Sequence, residues 1–485
     1  MLFDSFHFAV FFPVVCALFW TLPQRFRWLL LLLASYYFYM VWRPAYALVL
    51  VVITAIDFCV GISLARATEP KARRAILLAS LAANLGILFA FKYYDFAAHS
   101  LNALTATAVL PVMGLVLPIG LSFHTFQSMA YTIDVYRRKV EPERNWGTFA
   151  TFIVFFPQLV AGPIERAADL LPQLRRFKEC DYHHVTNGLK LMAWGLFKKV
   201  VVADRLARFV DPMYADPTTR CSPMLLLGAV AFGYQIYCDF SGYSDIAIGA
   251  AEVLGVRLST NFRAPYHSRS LREFWTRWHI TLSMWFRDYV YLPLGGNRVS
   301  PARWAFNILV VFILSGMWHG ANWTFLIWGL HHAVLLIASR FTEGIRGAGY
   351  RIAHLDRSPR LLAALETAAT FSAVMIGWIF FRAPSLEVAG TILHRIATNW
   401  TPYLIPQYVV NEFLLYERGD FANLLIALAG LVLIEIGDSA SSRFSVREWL
   451  SVRPAVLRWS AYYVFIVVIL LCGKFDGPPF IYFQF

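Results

Sequence analysis

The sequence predicts an all-α protein that crosses a membrane many times. Of its 485 residues, 58% are hydrophobic and only 15% are charged, and the mean hydropathy is +0.54. A soluble domain is about 45–50% apolar and about 25% charged, so this apolar excess is too large to hide inside one core surrounded by water. The composition excludes a soluble enzyme, a disordered chain and a secreted disulfide scaffold. Because no break in composition divides the chain, residues 1–485 are predicted to form a single transmembrane domain.

Apolar stretches recur from one end of the chain to the other. They cover residues 8–22, 28–42, 45–65, 75–91, 108–133, 148–160, 225–237, 304–318, 323–337, 362–381, 424–436 and 462–471. A helix needs about 20 residues to cross the hydrocarbon core, and some of these stretches are short enough to be re-entrant. We therefore expect about eleven transmembrane helices.

The basic residues of the first loops indicate an orientation. Arg25 and Arg27 follow the first stretch, and a cluster from Arg66 to Arg74 follows the third. Lysine and arginine collect in cytoplasmic loops, which places these loops in the cytoplasm and the N-terminus outside. The net charge of +13 has the same cause. No zinc-finger, RRM or helix-turn-helix pattern accompanies it, so the predicted partner is a lipid bilayer and not nucleic acid.

Several sites are absent from the sequence. The six cysteines are scattered, with no C-x-x-C pair and no Cys/His group at zinc spacing. There is also no phosphate-binding glycine loop, no H-E-x-x-H helix and no G-x-S-x-G elbow. We predict neither a metal site nor a bound cofactor.

Basic, tryptophan-rich segments interrupt the apolar pattern in the middle third of the chain. The predicted contacts for a ligand there are Arg272, Arg277 and Arg287, and the run 197–199 carries two lysines. Such segments lie in the membrane interface or dip partly into the bilayer. They form either a cytoplasmic rim that holds anionic lipid or a mouth that attracts an anionic substrate, and the residues alone support both readings.

Two histidines are candidates for chemistry. His319 ends one apolar stretch just before another begins, with Gly316 and Gly320 on either side. An imidazole takes and returns a proton near neutral pH. If the segment around His279 is a continuous helix, Trp275, His279 and Ser283 share one face. The alternatives are a buried structural histidine for His319 and an interfacial helix for His279.

Two carboxylates, Asp239 and Asp245, interrupt a further apolar stretch, together with hydroxyl groups and Gly242. Polar groups at membrane depth cost free energy, and they therefore mark functional sites by default. The segment is interpreted either as the non-helical wall of a watery cavity or as the cap of a helix.

The order and spacing of several motifs resemble the membrane-bound O-acyltransferase family, most closely the branch that contains the membrane subunit of bacterial alginate O-acetylation. The motifs are Met1-Leu-Phe-Asp-Ser-Phe, Leu117-Pro-Ile-Gly-Leu-Ser-Phe-His, Phe155-Phe-Pro-Gln-Leu-Val-Ala-Gly-Pro-Ile-Glu-Arg166, Arg272-Glu-Phe-Trp-Thr-Arg-Trp-His279, Leu292-Pro-Leu-Gly-Gly-Asn-Arg298 and Met317-Trp-His-Gly320. The resemblance covers nearly the whole chain. It implies a ring of transmembrane helices, with re-entrant and interfacial helices, around a central funnel.

The resemblance also assigns roles. His319 lies in the motif that carries the presumed catalytic histidine, and His279 occupies the second important polar position. Asn322, His279 or a backbone N–H near Gly320 is the expected donor to an oxyanion. The C-terminal segment resembles a motif in which a tyrosine hydroxyl relays the acyl group, and that tyrosine is Tyr482 here. The alternative role for Tyr482 is an aromatic anchor in the membrane interface.

The implied function is O-acetylation of an exopolysaccharide, with alginate as the first candidate. The expected donor is acetyl-CoA, and the expected partner is an acetyltransferase outside the cytoplasmic membrane that serves the polysaccharide. The implied location is the bacterial inner membrane. Alternatives are the same machinery acting on cellulose, peptidoglycan or teichoic acid (as D-alanylation), and a transporter without chemistry.

Overall fold

The computed structural model describes residues 1–160, 162–177, 179–398, 400, 418–441 and 444–483. Within these ranges the secondary structure is helical and contains no strand. The prediction of an all-α protein is therefore confirmed for the described part of the chain.

The chain forms two compact units. The first unit comprises residues 1–196 and 243–260, and the second comprises 197–242 and 261–485. The segments from Tyr182 to Ala203 and from Ser222 to Val253 are each helical through the boundary between the units, so the division does not test the prediction of a single domain.

The described residues form a succession of helices. They are α1 (Phe6–Thr21), α2 (Gln24–Met40), α3 (Ala47–Arg66), α4 (Pro70–Leu88), α5 (Tyr94–Thr105), α6 (Leu121–Tyr136), α7 (Trp146–Val154), α8 (Ala167–Arg175), α9 (Tyr182–Leu196), α10 (Asp204–Ala215), α11 (Ser222–Val253), α12 (Leu271–Arg277), α13 (Ile280–Phe286), α14 (Pro301–His319), α15 (Trp323–Phe341), α16 (Glu343–Ile352), α17 (Pro359–Arg382), α18 (Leu386–Thr398), α19 (Arg418–Ser441), α20 (Val446–Ser451) and α21 (Ala455–Cys472). Segments of π-helix cover Phe89–Tyr93, Phe197–Ala203 and Arg287–Tyr291.

Eight helical segments of the described residues are long and apolar enough to cross a membrane. They are Pro44–Arg66, Pro70–Thr105, Ser222–Val253, Pro301–His319, Trp323–Phe341, Pro359–Arg382, Ala422–Ser441 and Ala455–Cys472. These spans are consistent with a protein that crosses a membrane several times.

Two apolar stretches that suggested spans form shorter helices instead. In the stretch 108–133, helix α6 begins only at Leu121, because Pro118 and Gly120, whose φ is +76°, interrupt the backbone before it. The stretch 148–160 contains only the nine-residue helix α7. Nearly all of the residues in α6 and α7 are buried inside the protein, so their apolar character reflects a protein core rather than contact with lipid.

A carboxylate lies in the core of the first unit. Asp57 on α3 is fully buried, and its Oδ1 accepts hydrogen bonds from Ser80 Oγ at 2.9 Å and Asn84 Nδ2 at 3.0 Å, both on α4. A buried polar group costs free energy unless hydrogen bonds satisfy it. These bonds therefore favour one register of α3 against α4.

A second buried carboxyl group, Glu165, is expected to make the stability of this unit depend on pH. Ser259 donates hydrogen bonds to Glu165 through its backbone N–H (2.6 Å) and its hydroxyl (3.0 Å). Burial raises the pKa of the Glu165 carboxyl from 4.5 to about 7, which means that the folded state favours the protonated form.

Because the folded pKa is raised, the contribution of Glu165 is complete below about pH 4.5 and is lost as the pH rises through about 7. The loss amounts to roughly 3 kcal/mol. We expect Glu165→Gln, which keeps an oxygen acceptor for Ser259, to remove this part of the pH dependence. Thermal unfolding of both proteins in detergent from pH 5 to 8 measures the effect, and parallel pH profiles would contradict it.

Glycines bring two helices of the second unit into close contact. A Cβ atom on Gly316 of α14 would meet the carbonyl oxygen of Phe325, and one on Gly329 of α15 would meet the carbonyl oxygen of Phe312. The backbones of α14 and α15 therefore touch, as small residues allow in membrane helices.

We expect Gly316→Ala to separate α14 from α15 and to lower the free energy of unfolding by about 1–3 kcal/mol. The matched control is Gly390→Ala on α18, where an added Cβ meets nothing within 4 Å, so stability is unchanged or slightly higher. Thermal unfolding in detergent compares the two variants. If Gly316→Ala left the unfolding temperature unchanged, the contact between α14 and α15 would not be tight.

Candidate active site

His319 is the last residue of α14 and is 4% exposed. The helix ends there because Gly320 adopts an extended backbone, and its N–H still donates to the carbonyl oxygen of Gly316. The C-terminal end of a helix carries partial negative charge. An imidazole at this point is therefore well placed to hold a proton that it accepts.

Aromatic rings surround His319. The ring centroids of Trp318 and Trp328 both lie 4.9 Å from that of His319, Phe381 lies at 5.1 Å and Tyr482 at 5.6 Å. The rings come from α14, α15, α17 and the C-terminal segment, so long-range packing creates the site. Its walls are apolar, which strengthens electrostatic interactions with any charge that forms there.

Tyr482 lies in a short helical turn, Ile481–Phe483, near the end of the chain. Its hydroxyl is buried and finds no hydrogen-bond acceptor or donor among the described residues. A tyrosine that anchors a protein in the membrane interface keeps its hydroxyl in the polar layer. Gln484 and Phe485, which belong to the same C-terminal motif, lie outside the described residues.

His279 lies between two short helices rather than within one. Its φ is +40°, a left-handed conformation that is uncommon outside glycine, and it separates α12 from α13. The expectation of a continuous helix that aligns Trp275, His279 and Ser283 is therefore wrong. The chain turns here because Asn261 takes part in the turn: its carbonyl oxygen accepts from Ile280 N, and its side-chain oxygen accepts from Thr281.

The same Asn261 side chain orients the His279 ring. His279 Nδ1 is 3.1 Å from Asn261 Oδ1, a geometry in which Nδ1–H donates and Nε2 carries the lone pair. Burial lowers the pKa of His279 to about 3, so its imidazole is neutral. His279 also shares two neighbours with His319, since its ring centroid lies 5.8 Å from that of Trp318 and 6.5 Å from that of Tyr482.

Asp239 lies in the middle of the continuous helix α11, so neither a helix cap nor a non-helical wall describes it. The side chain is buried. Its Oδ2 accepts a hydrogen bond from the backbone N–H of Ile481 at 2.8 Å, and its Oδ1 lies 2.9 Å from Lys199 Nζ. Asp239 therefore contacts the residue next to Tyr482, although 242 positions separate the two partners in sequence.

Lys199 was missed as a site residue by sequence reasoning. The run 197–199 suggested a basic segment in the membrane interface, but Lys198 and Lys199 are both buried in the π-helical segment, so that expectation is wrong for these residues. The available signal was the presence of two lysines within an apolar run, which at membrane depth marks a site.

The other two polar candidates are placed differently. Asn322 caps α15, where its side-chain oxygen accepts from Thr324 N at 3.1 Å and its side-chain nitrogen donates to the carbonyl oxygen of Pro384 at 3.0 Å. Both ends of this amide therefore have structural partners. Asp245 belongs to the first unit, whereas His279, His319 and Tyr482 belong to the second.

The three arginine candidates belong to the second unit but lie nearer the surface. Arg272 and Arg287 are exposed, and Arg277 is half-buried. Arg277 forms an ion pair with Glu273, and Arg287 forms one with its neighbour Asp288. Their role toward a lipid or a substrate stays a prediction.

Comparisons with known proteins identify the family of this chain. The profile of the membrane-bound O-acyltransferase family matches residues 145–382, a range that contains both His279 and His319. The chain is 40% identical to the protein named "Probable alginate O-acetylase AlgI" of Azotobacter vinelandii, over 98% of each chain. It is 35% identical to a peptidoglycan O-acetyltransferase of Helicobacter pylori, over 75% of this chain and 72% of the relative.

A more distant relative, a teichoic acid D-alanyltransferase of Streptococcus thermophilus, is 30% identical over 54% of this chain and 68% of its own. All three names describe the transfer of an acyl group. With a relative matched at 40% identity over nearly its full length, this chain belongs to the membrane-bound O-acyltransferase family.

Proposed function

We propose that this protein is the membrane subunit of an exopolysaccharide O-acetylation system, and that alginate is the polysaccharide. The observation that carries the proposal is the 40% identity to the Azotobacter vinelandii protein over 98% of both chains. Relatives named for peptidoglycan and teichoic acid match at 35% and 30% identity over smaller shares of the chain. We therefore assign alginate as the acceptor, because the relative named for alginate has the greater identity and coverage.

In the proposed reaction, His319 acts as the general base. A hydroxyl oxygen attacks the carbonyl carbon of an acetyl thioester, and His319 takes the hydroxyl proton. The new C–O bond forms, the C–S bond breaks, and the thiol leaves with a proton that His319 returns. The helix C-terminus at His319 favours the imidazolium that exists between these two steps, and the apolar walls exclude water.

We assign the oxyanion donor to a backbone N–H near Gly320. Asn322 is the weaker candidate for this role, because its amide already caps α15 and binds Pro384. His279 is a weaker candidate as well, because a neutral imidazole has one N–H and that of His279 already donates to Asn261 Oδ1. His279 nevertheless lies close to the site, because it shares Trp318 and Tyr482 as neighbours with His319.

We propose acetyl-CoA as the donor, bound from the cytoplasm. A ring of about eleven transmembrane helices around a funnel, in the inner membrane, would give the donor and the acceptor access to His319 from opposite sides. Arg272, Arg277 and Arg287 carry positive charge that suits the phosphates of this donor. A partner acetyltransferase outside the membrane would then deliver the group to the polysaccharide.

Acetyl transfer by the purified full-length protein tests the proposal. The protein is reconstituted in nanodiscs with radiolabelled acetyl-CoA and mannuronate oligosaccharide, with and without the extracytoplasmic partner. We expect thioester consumption and label on the oligosaccharide or the partner. Label that appears only with glucan or peptidoglycan fragments would reassign the acceptor. Transport of a solute without any cleavage of the thioester would overturn the enzymatic function.

A further inference from the structure

A buried lysine and two buried carboxylates form a charged group in the second unit. Lys199 Nζ lies 2.8 Å from Asp204 Oδ1 and 2.9 Å from Asp239 Oδ1, and each of the three side chains is at most 5% exposed. Each charge that is removed from water costs free energy. A protein in which hydrophobic residues of similar size replace such a group is often equally stable. A contribution to overall stability therefore does not explain why these three charged side chains are buried together.

The C-terminal segment supplies further partners of this group. Lys199 Nζ donates a hydrogen bond to the carbonyl oxygen of Pro478 at 3.1 Å, and Asp239 accepts from the N–H of Ile481 at 2.8 Å. The segment also passes close to the second carboxylate, because a Cβ on Gly477 would lie 2.6 Å from Asp204 Oδ2. Two hydrogen bonds and one close approach thus hold residues 477–481 along the charged group.

These contacts determine where Tyr482 lies. Asp239 and Phe240 are neighbours on α11, and the Phe240 ring centroid lies 4.4 Å from that of Tyr482 and 5.6 Å from that of Phe480. One residue of α11 therefore holds the backbone of the segment while the next packs against its aromatic side chains. The Tyr482 ring then lies 5.6 Å from His319.

We propose that Lys199 and Asp239 are positioning residues, which hold residues 477–482 so that Tyr482 forms one wall of the active site at His319. This inference rests on the proposed acyl transfer at His319, and it holds whether or not the Tyr482 hydroxyl itself carries an acyl group. Misplacement of a site group by about 1 Å can cost on the order of 100-fold in rate.

Three substitutions test the proposal from different sides. Asp239→Leu removes the acceptor for Ile481, while Asp239→Asn retains a side-chain oxygen in the same place. Gly477→Ala changes no charge but pushes the segment away from Asp204, so it remains informative if loss of a buried charge prevents folding. The matched control is Asp476→Asn in the same segment, which breaks only the exposed ion pair with Arg208 at 3.2 Å.

Two measurements are made on each full-length protein in nanodiscs. The first is backbone hydrogen exchange in the peptide that covers residues 473–483. The second is the initial rate of thioester cleavage with radiolabelled acetyl-CoA. For Asp239→Leu and Gly477→Ala, we expect at least tenfold faster exchange and at least a tenfold lower kcat, with little change in KM for acetyl-CoA.

We expect Asp239→Asn to restore activity to within about threefold of the unsubstituted protein, and Asp476→Asn to change neither measurement. Faster exchange with unchanged kcat would overturn the positioning role, as would unchanged exchange in both Asp239→Leu and Gly477→Ala. If the unsubstituted protein shows no acetyl transfer, the proposed function fails instead, and the exchange data still decide whether Asp239 holds the segment.

Discussion

The substitution His319→Ala is expected to abolish acetyl transfer while the protein stays in the membrane at its normal level. A general base contributes on the order of 10²- to 10⁴-fold to the rate. The neighbouring His279 does not replace His319, because burial keeps its imidazole neutral and weakly basic. The measurement is thioester cleavage by the purified protein, together with immunoblots of the membrane fraction.

Two further variants separate catalysis from packing. His319→Gln keeps most of the side-chain volume and a hydrogen-bonding group but cannot take up a proton, so its activity should be as low as that of His319→Ala. His7→Ala, which removes an exposed histidine on α1, should leave activity unchanged. If His319→Gln were active, or if His319→Ala protein were missing from the membrane, His319 would be a structural residue.

Replacing Tyr482 with phenylalanine is expected to block delivery of the acetyl group to the acceptor. The hydroxyl is buried beside His319 and has no hydrogen-bond partner among the described residues, so its loss leaves no structural bond broken. A relay needs that oxygen: His319 takes its proton, the oxygen attacks the thioester carbonyl carbon, the C–S bond breaks and the thiol leaves with the proton that His319 returns. The acetyl ester on Tyr482 is then transferred to the acceptor in a second step.

Mass spectrometry of the C-terminal peptide after incubation with acetyl-CoA detects this intermediate directly. We expect the mass of one acetyl group on the peptide from the unsubstituted protein and none on that from Tyr482→Phe or His319→Ala. Tyr463→Phe provides a matched control on the exposed face of α21, where removing a hydroxyl should have no effect. Full transfer by Tyr482→Phe would restrict Tyr482 to the role of an aromatic wall.

Local sequence patterns predicted the class of protein, and the family resemblance gave His319 as the candidate catalytic residue. Long apolar runs with few charges can satisfy their backbone only as helices in a bilayer, so the membrane helices were evident from composition. Hydropathy was a less reliable guide to membrane spans in segments that are apolar because they lie in the protein core. The short buried helices α6 and α7 read like lipid-facing spans, since hydropathy does not distinguish a protein core from a bilayer.

The positions of individual site residues depended more on tertiary contacts. His279 was expected on a helix face, but the side chain and backbone of Asn261, 18 residues earlier, hold it in a left-handed turn. Asn322 was expected to reach a reacting oxygen, but it caps a helix. Neither outcome is encoded in the spacing around these residues, because each depends on a partner outside its own motif.

The sequence by itself determined the membrane class and the helical fold, since apolar runs act over a few residues, and its motifs gave His319 as the candidate base. Only the tertiary structure decided that the end of the chain lies at the site. Lys199 and Asp239 reach Pro478 and Ile481 across more than 240 positions of sequence. Buried charges accept partners only at hydrogen-bond distance, and which partners come that close is set by helix packing, not by any local pattern.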